Sequence, residues 1–427
     1  MPAGPSVDQE RMWADVMGLA AITDPQRPYT RRSFSPLFLE GRAWLRDRFA
    51  AAGLKVRTDS GGNLIGRMEG SNSALPAIML GSHSDTVPSG GRFDGVAGLL
   101  AALEVARALG AGDRFRHAVE VVDFLAEEPS EFGVSCVGSR AMAGLLLPEM
   151  LDYTSGSGER LGDAIDRIGG ATQRLAEARR SDIAAYLELH IEQGIVLESK
   201  HVDIGVVTGI VGIARLEVVF QGAADHAGTT PMTLRRDAAV AVARSIAFAA
   251  ERASALSAAG RGHFVATAGI VEIEPNAANV VPGRARVVFD IRAEDREPSQ
   301  GFITELNGST AAIAKECRVE RTRFTLLSDT APVACDTQLG DALARSAARL
   351  GLSVLQLASG AGHDAAFVAR IAPSAMLFVP CRGGKSHTPE EWAEPSALAA
   401  GASVLLETTR RIDEEMHATV RVGERAR

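Results

Sequence analysis

Short apolar runs and helical repeats alternate along most of the chain. Residues 77–83 (AIMLGSH), 119–128 (VEVVDFLAEE), 185–194 (AYLELHIEQG) and 374–384 (SAMLFVPCRGG) are the kind of short apolar stretch that forms buried strands. Residues 96–110 instead carry apolar side chains at helical spacing and end on a glycine. Strands separated by helices favour parallel pairing, so the pattern predicts an α/β fold with a mostly parallel sheet.

The pattern changes between about Gly209 and Ser328. There a strand, a helix, two strands, a helix and a strand follow one another, which is the ferredoxin-like βαββαβ order of a small antiparallel sheet with two helices on one face. We therefore predict an inserted domain at 209–328. It interrupts a host domain formed by residues 1–208 and 329–427.

Composition limits what this fold can do. The 427 residues carry a formal net charge of -8, and no cluster of lysine and arginine stands out, which argues against nucleic acid as a partner. The first residues lack a signal-peptide pattern, and no apolar run is long enough to span a membrane, so we expect a cytoplasmic protein. The four cysteines have no CxxC spacing, so a bound metal would be held by histidine and carboxylate groups.

Histidine and carboxylate residues cluster where the predicted strands end, and Asp94 lies in the loop that follows the first of these strands. In chain order they are His83, Asp85, Asp94, Glu127, Glu128, His190 and His387. Ligands of open α/β sheets bind at the carboxyl ends of the strands, so these side chains should meet at one edge. A single histidine there is usually a hydrogen-bonding residue, and Glu127 with Glu128 could simply begin a helix. So many polar groups together would be costly unless a divalent metal neutralised them.

The number of candidate ligands favours two metal ions. Five histidine and carboxylate ligands are too many for one open catalytic zinc site, which takes three protein ligands. Nitrogen and oxygen donors suit zinc, with manganese, cobalt or nickel as alternatives. Two ions bridged by one carboxylate would activate a water molecule, and a base that is not itself a ligand would take its proton.

Seven motifs between residues 83 and 392 carry a family resemblance. They are, in order, HSDTVPSGGRFDG, AEEPSEFG, ELHIEQG, ADHAGTTPM, PNAANVVPG with FDIR, SGAGHDA and GGKSHTPEEW. The series resembles the dinuclear metal-dependent amidohydrolases that include N-carbamoyl-L-amino acid hydrolases, allantoate and ureidoglycolate amidohydrolases and β-ureidopropionases. These are relatives of the aminoacylases and glutamate carboxypeptidases.

The resemblance implies roles for the polar residues at the sheet edge. Five of them would bind two metal ions: His83, Asp94, Glu128, His190 and His387. Asp94 would bridge the ions, Asp85 would orient the imidazole of His83, and Glu127 would be the general base. We expect Pro129 to end the strand and turn the chain, so that neighbouring glutamates can serve one site.

The resemblance also implies that the inserted domain is a lid that dimerises, so we expect a homodimer. His226 would contact the substrate carbonyl or oxyanion, from the lid or from a partner subunit. Asn279 and Arg292 would bind the substrate carboxylate, for which an arginine fork is well suited. Further substrate contacts would come from Gln193, Gly362 and His363.

The expected activity is hydrolysis of a linear C–N bond in a small carboxylate substrate. An N-carbamoyl-L-amino acid would give the amino acid, ammonia and carbon dioxide. Allantoate or ureidoglycolate is the first alternative, and an N-acyl amino acid or dipeptide the second. Pro129 and Glu131 stand where many carbamoylases have glycine and arginine. The resemblance therefore does not define the shape of the substrate pocket beside the metals. A relative that only binds would be expected to have lost ligands or the base, whereas this chain keeps them all.

Overall fold

The predicted strands form at or near their expected positions in the computed structural model, which describes residues 6–111, 115–260 and 262–425. The strands are, in chain order, β1 (Lys55–Thr58), β2 (Leu64–Met68), β3 (Ala77–His83), β4 (Val119–Phe124), β5 (Ile183–Ile191), β6 (Ile204–Ile210), β7 (Gly212–Gln221), β8 (Asp225–His226), β9 (Phe264–Glu274), β10 (Val280–Val281), β11 (Arg284–Ala293), β12 (Glu320–Thr330), β13 (Val333–Ala334), β14 (Val354–Ser359) and β15 (Ser374–Val379).

Helices fill most of the predicted connections between these strands. They are α1 (Gln9–Ala20), α2 (Pro36–Ala51), α3 (Val96–Gly110), α4 (Val137–Ala143), α5 (Leu161–Arg167), α6 (Val196–Lys200), α7 (Ala238–Ala258), α8 (Arg296–Glu316), α9 (Thr337–Arg349), α10 (Ala365–Val368) and α11 (Pro395–Arg425). Within the described ranges, no helix combines the length and apolar character needed to cross a membrane.

The chain divides into two compact units, of which the first contains the larger sheet. This unit comprises the chain up to Thr208, Cys335–Leu357 and the chain from His363 onward. Its strands lie in the order β1-β2-β4-β3-β5-β15-β6. The four central strands β4, β3, β5 and β15 are parallel, while β2 and β6 pair antiparallel at the sides. The carboxyl ends of the four central strands therefore share one edge, where a site is expected.

Packing explains why the central strands are continuous apolar runs. Every residue of β3, β4 and β15 is buried, as expected for strands covered on both faces. Helix α3 is buried almost all round, from Val96 to Leu109, and packs with the sheet in one apolar core. The predicted α/β class with a mostly parallel sheet is confirmed.

The second unit comprises Gly209–Ala334 and Ala358–Gly362. Its antiparallel sheet has the strand order β12-β7-β11-β9, and α7 and α8 join it in a separate apolar core that includes Leu216, Phe289 and Phe302. The elements follow the βαββαβ order that the sequence predicts.

Helix α2 carries one charged residue on its buried face. Phe38, Leu45 and Phe49 are fully buried, and Arg42, which lies among them at helical spacing, is only 7% exposed. Its Nε lies 2.9 Å from Oδ2 of Asp123, and its Nη2 donates to the main-chain oxygen of Asp123 at 3.0 Å. This ion pair ties α2 to β4, the strand that leads to the two adjacent glutamates.

We expect Arg42→Ala to lower the free energy of unfolding by about 3–5 kcal/mol, because the Asp123 carboxylate stays buried without its partner. Arg46→Ala is the matched control, since Arg46 is exposed one turn along the same helix and bonds Thr58. It should cost less than about 1 kcal/mol. Urea unfolding followed by circular dichroism measures both, and losses of equal size would contradict a special role for the buried pair.

Candidate active site

The five predicted metal ligands converge at the carboxyl edge of the parallel strands. Their ligand atoms form two groups, one of His83, Asp94 and His190 and one of Asp94, Glu128 and His387, with all atoms of a group within 4.8 Å of one another. Oδ1 of Asp94 lies 3.2 Å from Nε2 of His190, and Oδ2 lies 3.0 Å from Nε2 of His387. Asp94 therefore belongs to both groups, with one oxygen toward each.

The two buried histidines are held by main-chain oxygens. Nδ1 of His83 lies 3.0 Å from the carbonyl oxygen of Asp85, and Nδ1 of His190 lies 2.9 Å from that of Ile191. A carbonyl oxygen only accepts hydrogen bonds, so Nδ1 carries the proton in both rings. Each Nε2 then faces the cluster, where the neutral ring would offer its lone pair to a metal.

Gly95 lets the Asp94 loop pass directly over a histidine. Its φ is +66°, and a Cβ there would lie 2.4 Å from Cε1 and Nε2 of His83, so no other residue fits without moving the ring. The Gly95 N–H also donates to Nε2 of His190 at 3.2 Å, which agrees with a lone pair on that nitrogen.

The turn that carries Glu127 and Glu128 starts earlier than the sequence predicts. Strand β4 ends at Phe124, and Ala126 has a φ of +50°, which takes the chain out of the strand. The predicted strand end at Glu128 is therefore wrong, and the turn precedes Pro129. The apolar run through Leu125 and Ala126 resembles a strand because both side chains are buried in a local core.

Asp85 anchors this turn. Its Oδ1 accepts the main-chain N–H of Glu127 and its Oδ2 accepts that of Glu128, both at 3.2 Å. The Asp85 carboxylate lies 3.6 Å from Nδ1 of His83, farther than the Asp85 carbonyl oxygen. One residue thus fixes the ring of His83 through its main chain and the two glutamates through its side chain.

Glu127 lies beside the ligand groups but belongs to neither. Its Oε2 is 3.7 Å from Nε2 of His83, and its Oε1 is 3.5 Å from Sγ of Cys136. Burial raises the pKa of Glu127 well above its usual value; the charge of His83 opposes this rise and that of Glu128 adds to it. A carboxylate that is close to the cluster and is not a member of either group has the placement of a base.

The charges of the cluster are those of a cation site. Contacts with Asp94 and Glu128 raise the pKa of His387 to about 10. Burial opposes ionisation of Asp94, but the hydrogen bond with His387 and the nearby imidazoles of His190 and His83 lower its pKa. Oε1 of Glu128 is buried and lies 3.2 Å from Nε2 of His387, without a hydrogen bond of good geometry. Buried carboxylates gathered with imidazoles in this way fit a divalent ion.

Two predicted substrate contacts lie next to the ligand groups in the first unit. Nε2 of Gln193 donates to Oδ1 of Asp94 and to Oγ of Ser386, both at 3.1 Å. The ring of His363 is 2% exposed, and its centroid lies 4.6 Å from that of His190. The amide nitrogen of Gln193 therefore donates its hydrogen bonds to groups of the cluster. Contact of Gln193 or His363 with a substrate stays a prediction.

The other predicted substrate contacts lie in the second unit. Strand β8 pairs His226 with Val280 of β10, and Asn279 O accepts the N–H of Ala227 at 2.9 Å, so the His226 and Asn279 segments adjoin. Gly362 ends the Ala358–Gly362 segment. The roles of these residues toward a substrate stay predictions.

Arg292 is held within the second unit by two acceptors. Its Nε donates to Oδ1 of Asp290 at 2.7 Å and its Nη1 to the carbonyl oxygen of Gly360 at 2.9 Å. A guanidinium has five N–H groups, so others can still donate to a carboxylate ligand. Its role in substrate binding stays a prediction.

Sequence reasoning missed several residues that hold the ligand segments in place. Nε of Arg31 donates to the carbonyl oxygen of Ser84 at 2.9 Å, and Oδ1 of Asn63 accepts the N–H of Leu125 at 3.1 Å. Buried Glu391 contacts the Asp94 segment. Glu391 has a sequence signal, because it lies in the GGKSHTPEEW motif, whereas Arg31 and Asn63 lie outside the motifs.

The chain is similar to known proteins along most of its length. The sequence profile described as Peptidase family M20/M25/M40 matches residues 79–411. The chain is 38% identical over 406 residues to the N-carbamoyl-L-amino acid amidohydrolase of Geobacillus stearothermophilus, covering 94% of this chain and 98% of that protein. It is 36% identical over 403 residues to the allantoate amidohydrolase of Escherichia coli (strain K12), covering 94% and 96%. The crystal structure of an amidase of the hydantoinase/carbamoylase family from Burkholderia multivorans matches with a TM-score of 0.87 at 34% identity, covering 96% and 98%.

Proposed function

This chain belongs to peptidase family M20/M25/M40, and from that premise we propose that it is a metal-dependent amidohydrolase that cleaves a linear C–N bond in a small carboxylate substrate. The first substrate we propose is an N-carbamoyl-L-amino acid, which gives the amino acid, ammonia and carbon dioxide. One observation carries the proposal: two ligand groups share Asp94, and Glu127 lies beside them without belonging to either.

The residues present fit two divalent ions. We assign one ion to His83, His190 and Asp94, and the other to Glu128, His387 and Asp94. Three imidazoles and two carboxylates suit zinc, with manganese, cobalt or nickel as alternatives. When bound, such ions lower the pKa of a water molecule and polarise a carbonyl oxygen.

Glu127 supplies the proton transfer. Its carboxylate takes a proton from the attacking water and delivers that proton to the leaving nitrogen, which departs as a neutral amine or ammonia while the carbonyl carbon keeps the oxygen of the water. Asp85 positions the base, since its Oδ1 accepts the Glu127 N–H at 3.2 Å.

Residues of the second unit bind the substrate in this proposal. Arg292 and Asn279 contact the carboxylate, and His226, from the same chain or from a partner subunit, contacts the carbonyl oxygen as its charge develops. Gln193, Gly362 and His363 provide further substrate contacts. Homodimerisation through the inserted domain also stays a prediction, which sedimentation velocity would check.

Allantoate and ureidoglycolate are the alternative substrates. The similarity to the allantoate amidohydrolase of Escherichia coli supports the first of them. Glu131 is exposed, so its departure from the commoner carbamoylase pattern leaves the buried cluster unchanged. A panel of substrates with different side chains tests which side chain the protein prefers.

In such a panel, with zinc, manganese, cobalt or nickel supplied, we expect faster ammonia release from N-carbamoyl-L-amino acids than from allantoate or ureidoglycolate. We expect no amine release from N-acyl amino acids.

Arg292→Ala should raise KM for the preferred substrate by about 10- to 100-fold, since it removes charged hydrogen bonds to the carboxylate. Initial rates and metal analysis of both proteins give the comparison.

Arg215→Ala is the matched control for the Arg292 variant. Nε of Arg215 lies 3.4 Å from Oδ2 of Asp290, so this arginine shares the same carboxylate partner, and we expect little change in KM on its removal. Ammonia from none of the ureido compounds would defeat the proposed substrate class. Loss of metal from Arg292→Ala would show that its assignment to the substrate is wrong.

A further inference from the structure

A buried carboxylate outside the predicted ligand set contacts the main chain of the Asp94 loop. Glu391 is fully buried. Its Oε1 accepts the main-chain N–H of Phe93 at 2.6 Å and that of Asp94 at 3.2 Å. Two N–H groups on one oxygen fix where the loop lies and therefore where the Asp94 side chain starts.

The second oxygen of Glu391 reaches the segment that carries His387. Oγ of Ser386 donates to Oε2 of Glu391 at 3.1 Å. The same Oγ accepts a hydrogen bond from Nε2 of Gln193 at 3.1 Å, and that Nε2 also donates to Oδ1 of Asp94 at 3.1 Å. The hydrogen bonds thus form a closed ring that runs from the Asp94 main chain to its own carboxylate.

Packing leaves the Glu391 carboxylate little room to move. Gly91 has a φ of +108°, and a Cβ on it would lie 2.4 Å from Cδ and Oε1 of Glu391. The next residue, Trp392, packs edge-on against Phe93 with ring centroids 5.7 Å apart. The loop and the carboxylate are therefore fitted to each other, which is the condition for transmitting position.

A carboxylate is a costly choice for a plain loop anchor at this place. Burial of a charge beside another carboxylate is unfavourable, and main-chain carbonyls or a serine could satisfy single N–H groups. What Glu391 adds is a rigid acceptor with two oxygens, one for the Asp94 segment and one for Ser386, the neighbour of His387. These two segments are almost 300 residues apart in sequence.

We propose that Glu391 is a positioning residue that sets the Asp94 segment against the His387 segment so that both ligand groups form with Asp94 between them. The inference rests on the proposed function, because it takes Asp94 and His387 as metal ligands. Glu391 acts through hydrogen bonds and touches neither metal nor substrate.

The zinc affinity of the metal-free, full-length protein tests this role. It is measured by competition with a chromophoric chelator. Glu391→Ala should weaken zinc binding by about 10- to 100-fold, as removal of groups that orient ligands commonly does. Glu391→Gln should lie closer to the wild type, because its amide oxygen can still accept both N–H groups. Ser386→Ala opens the ring while leaving Glu391 in place, and should weaken binding less than Glu391→Ala does.

Glu394→Ala is the matched control, since Glu394 follows in the same segment and bonds exposed Arg382 and Trp392 instead. It should keep wild-type zinc affinity, and thermal melting of the metal-free variants separates affinity from folding. Wild-type affinity in Glu391→Ala, or in Ser386→Ala if the first variant does not fold, overturns the inference. So does an equal loss in Glu394→Ala. Absence of binding of zinc, manganese, cobalt and nickel alike in the wild type would instead overturn the proposed function itself.

Discussion

Glu127→Gln should lower kcat by about 10²- to 10⁴-fold, because glutamine cannot take a proton from water. The bound metal should stay at the wild-type level, since Glu127 lies outside both ligand groups. Substrate affinity should change little, as the amide has nearly the shape of the carboxylate. Steady-state kinetics together with elemental analysis of the purified variant measure all three quantities.

Glu149→Gln is a suitable control, because Glu149 is exposed and lies outside the motifs. It should keep the wild-type kcat. A Glu127→Gln protein with unchanged kcat would show that another group is the base. A parallel loss of metal and activity would instead make Glu127 a ligand, contrary to its place beside the two groups.

Asp94→Ala should remove both metal ions. It should therefore lower kcat/KM by at least about 10³-fold, which corresponds to about 4 kcal/mol of transition-state stabilisation. The reason is geometric, since Asp94 places one oxygen 3.2 Å from His190 and the other 3.0 Å from His387. Metal content per chain, measured by mass spectrometry of the elements, is the deciding quantity.

His83→Ala gives the contrast that this prediction needs. His83 belongs to one ligand group only, so its loss should weaken one ion and leave the other. Asp203→Ala, which removes an exposed carboxylate that bonds Ser353, should change neither ion. If Asp94→Ala still held one ion at full occupancy, Asp94 would not be shared.

The main elements were predictable because their patterns depend on burial along short stretches. Strand β3 and helix α3 have the predicted bounds, 77–83 and 96–110, since an apolar run that stops at polar residues and a helical repeat that stops at glycine are local signals. Strand β4 was predicted four residues too long. Leu125 and Ala126 are apolar and buried, but the positive φ of Ala126 has no local signal.

The candidate ligands were predictable for a different reason. Parallel strands place their carboxyl ends at one edge. The sequence therefore predicted that His83 and His190, which lie at the ends of β3 and β5, are close together. Asn63 and Arg31 could not be predicted in this way, because each lies outside the motifs and contacts a segment far away in sequence. Glu391 lies in a motif, but its contact with the distant Asp94 segment has no local signal.

The sequence by itself determined the fold class, the element order of the inserted domain and the set of polar residues at the sheet edge. Periodicity and strand ends depend on residues that are neighbours in the chain, so they can be predicted locally. The family resemblance already implied that Asp94 is shared. Only the tertiary structure decided that one oxygen of Asp94 faces His190 and the other His387, and that Asp85 fixes the turn of Glu127 and Glu128. Those arrangements depend on distances between segments that meet only when the chain is folded, and on turns that buried hydrogen bonds stabilise against local preference.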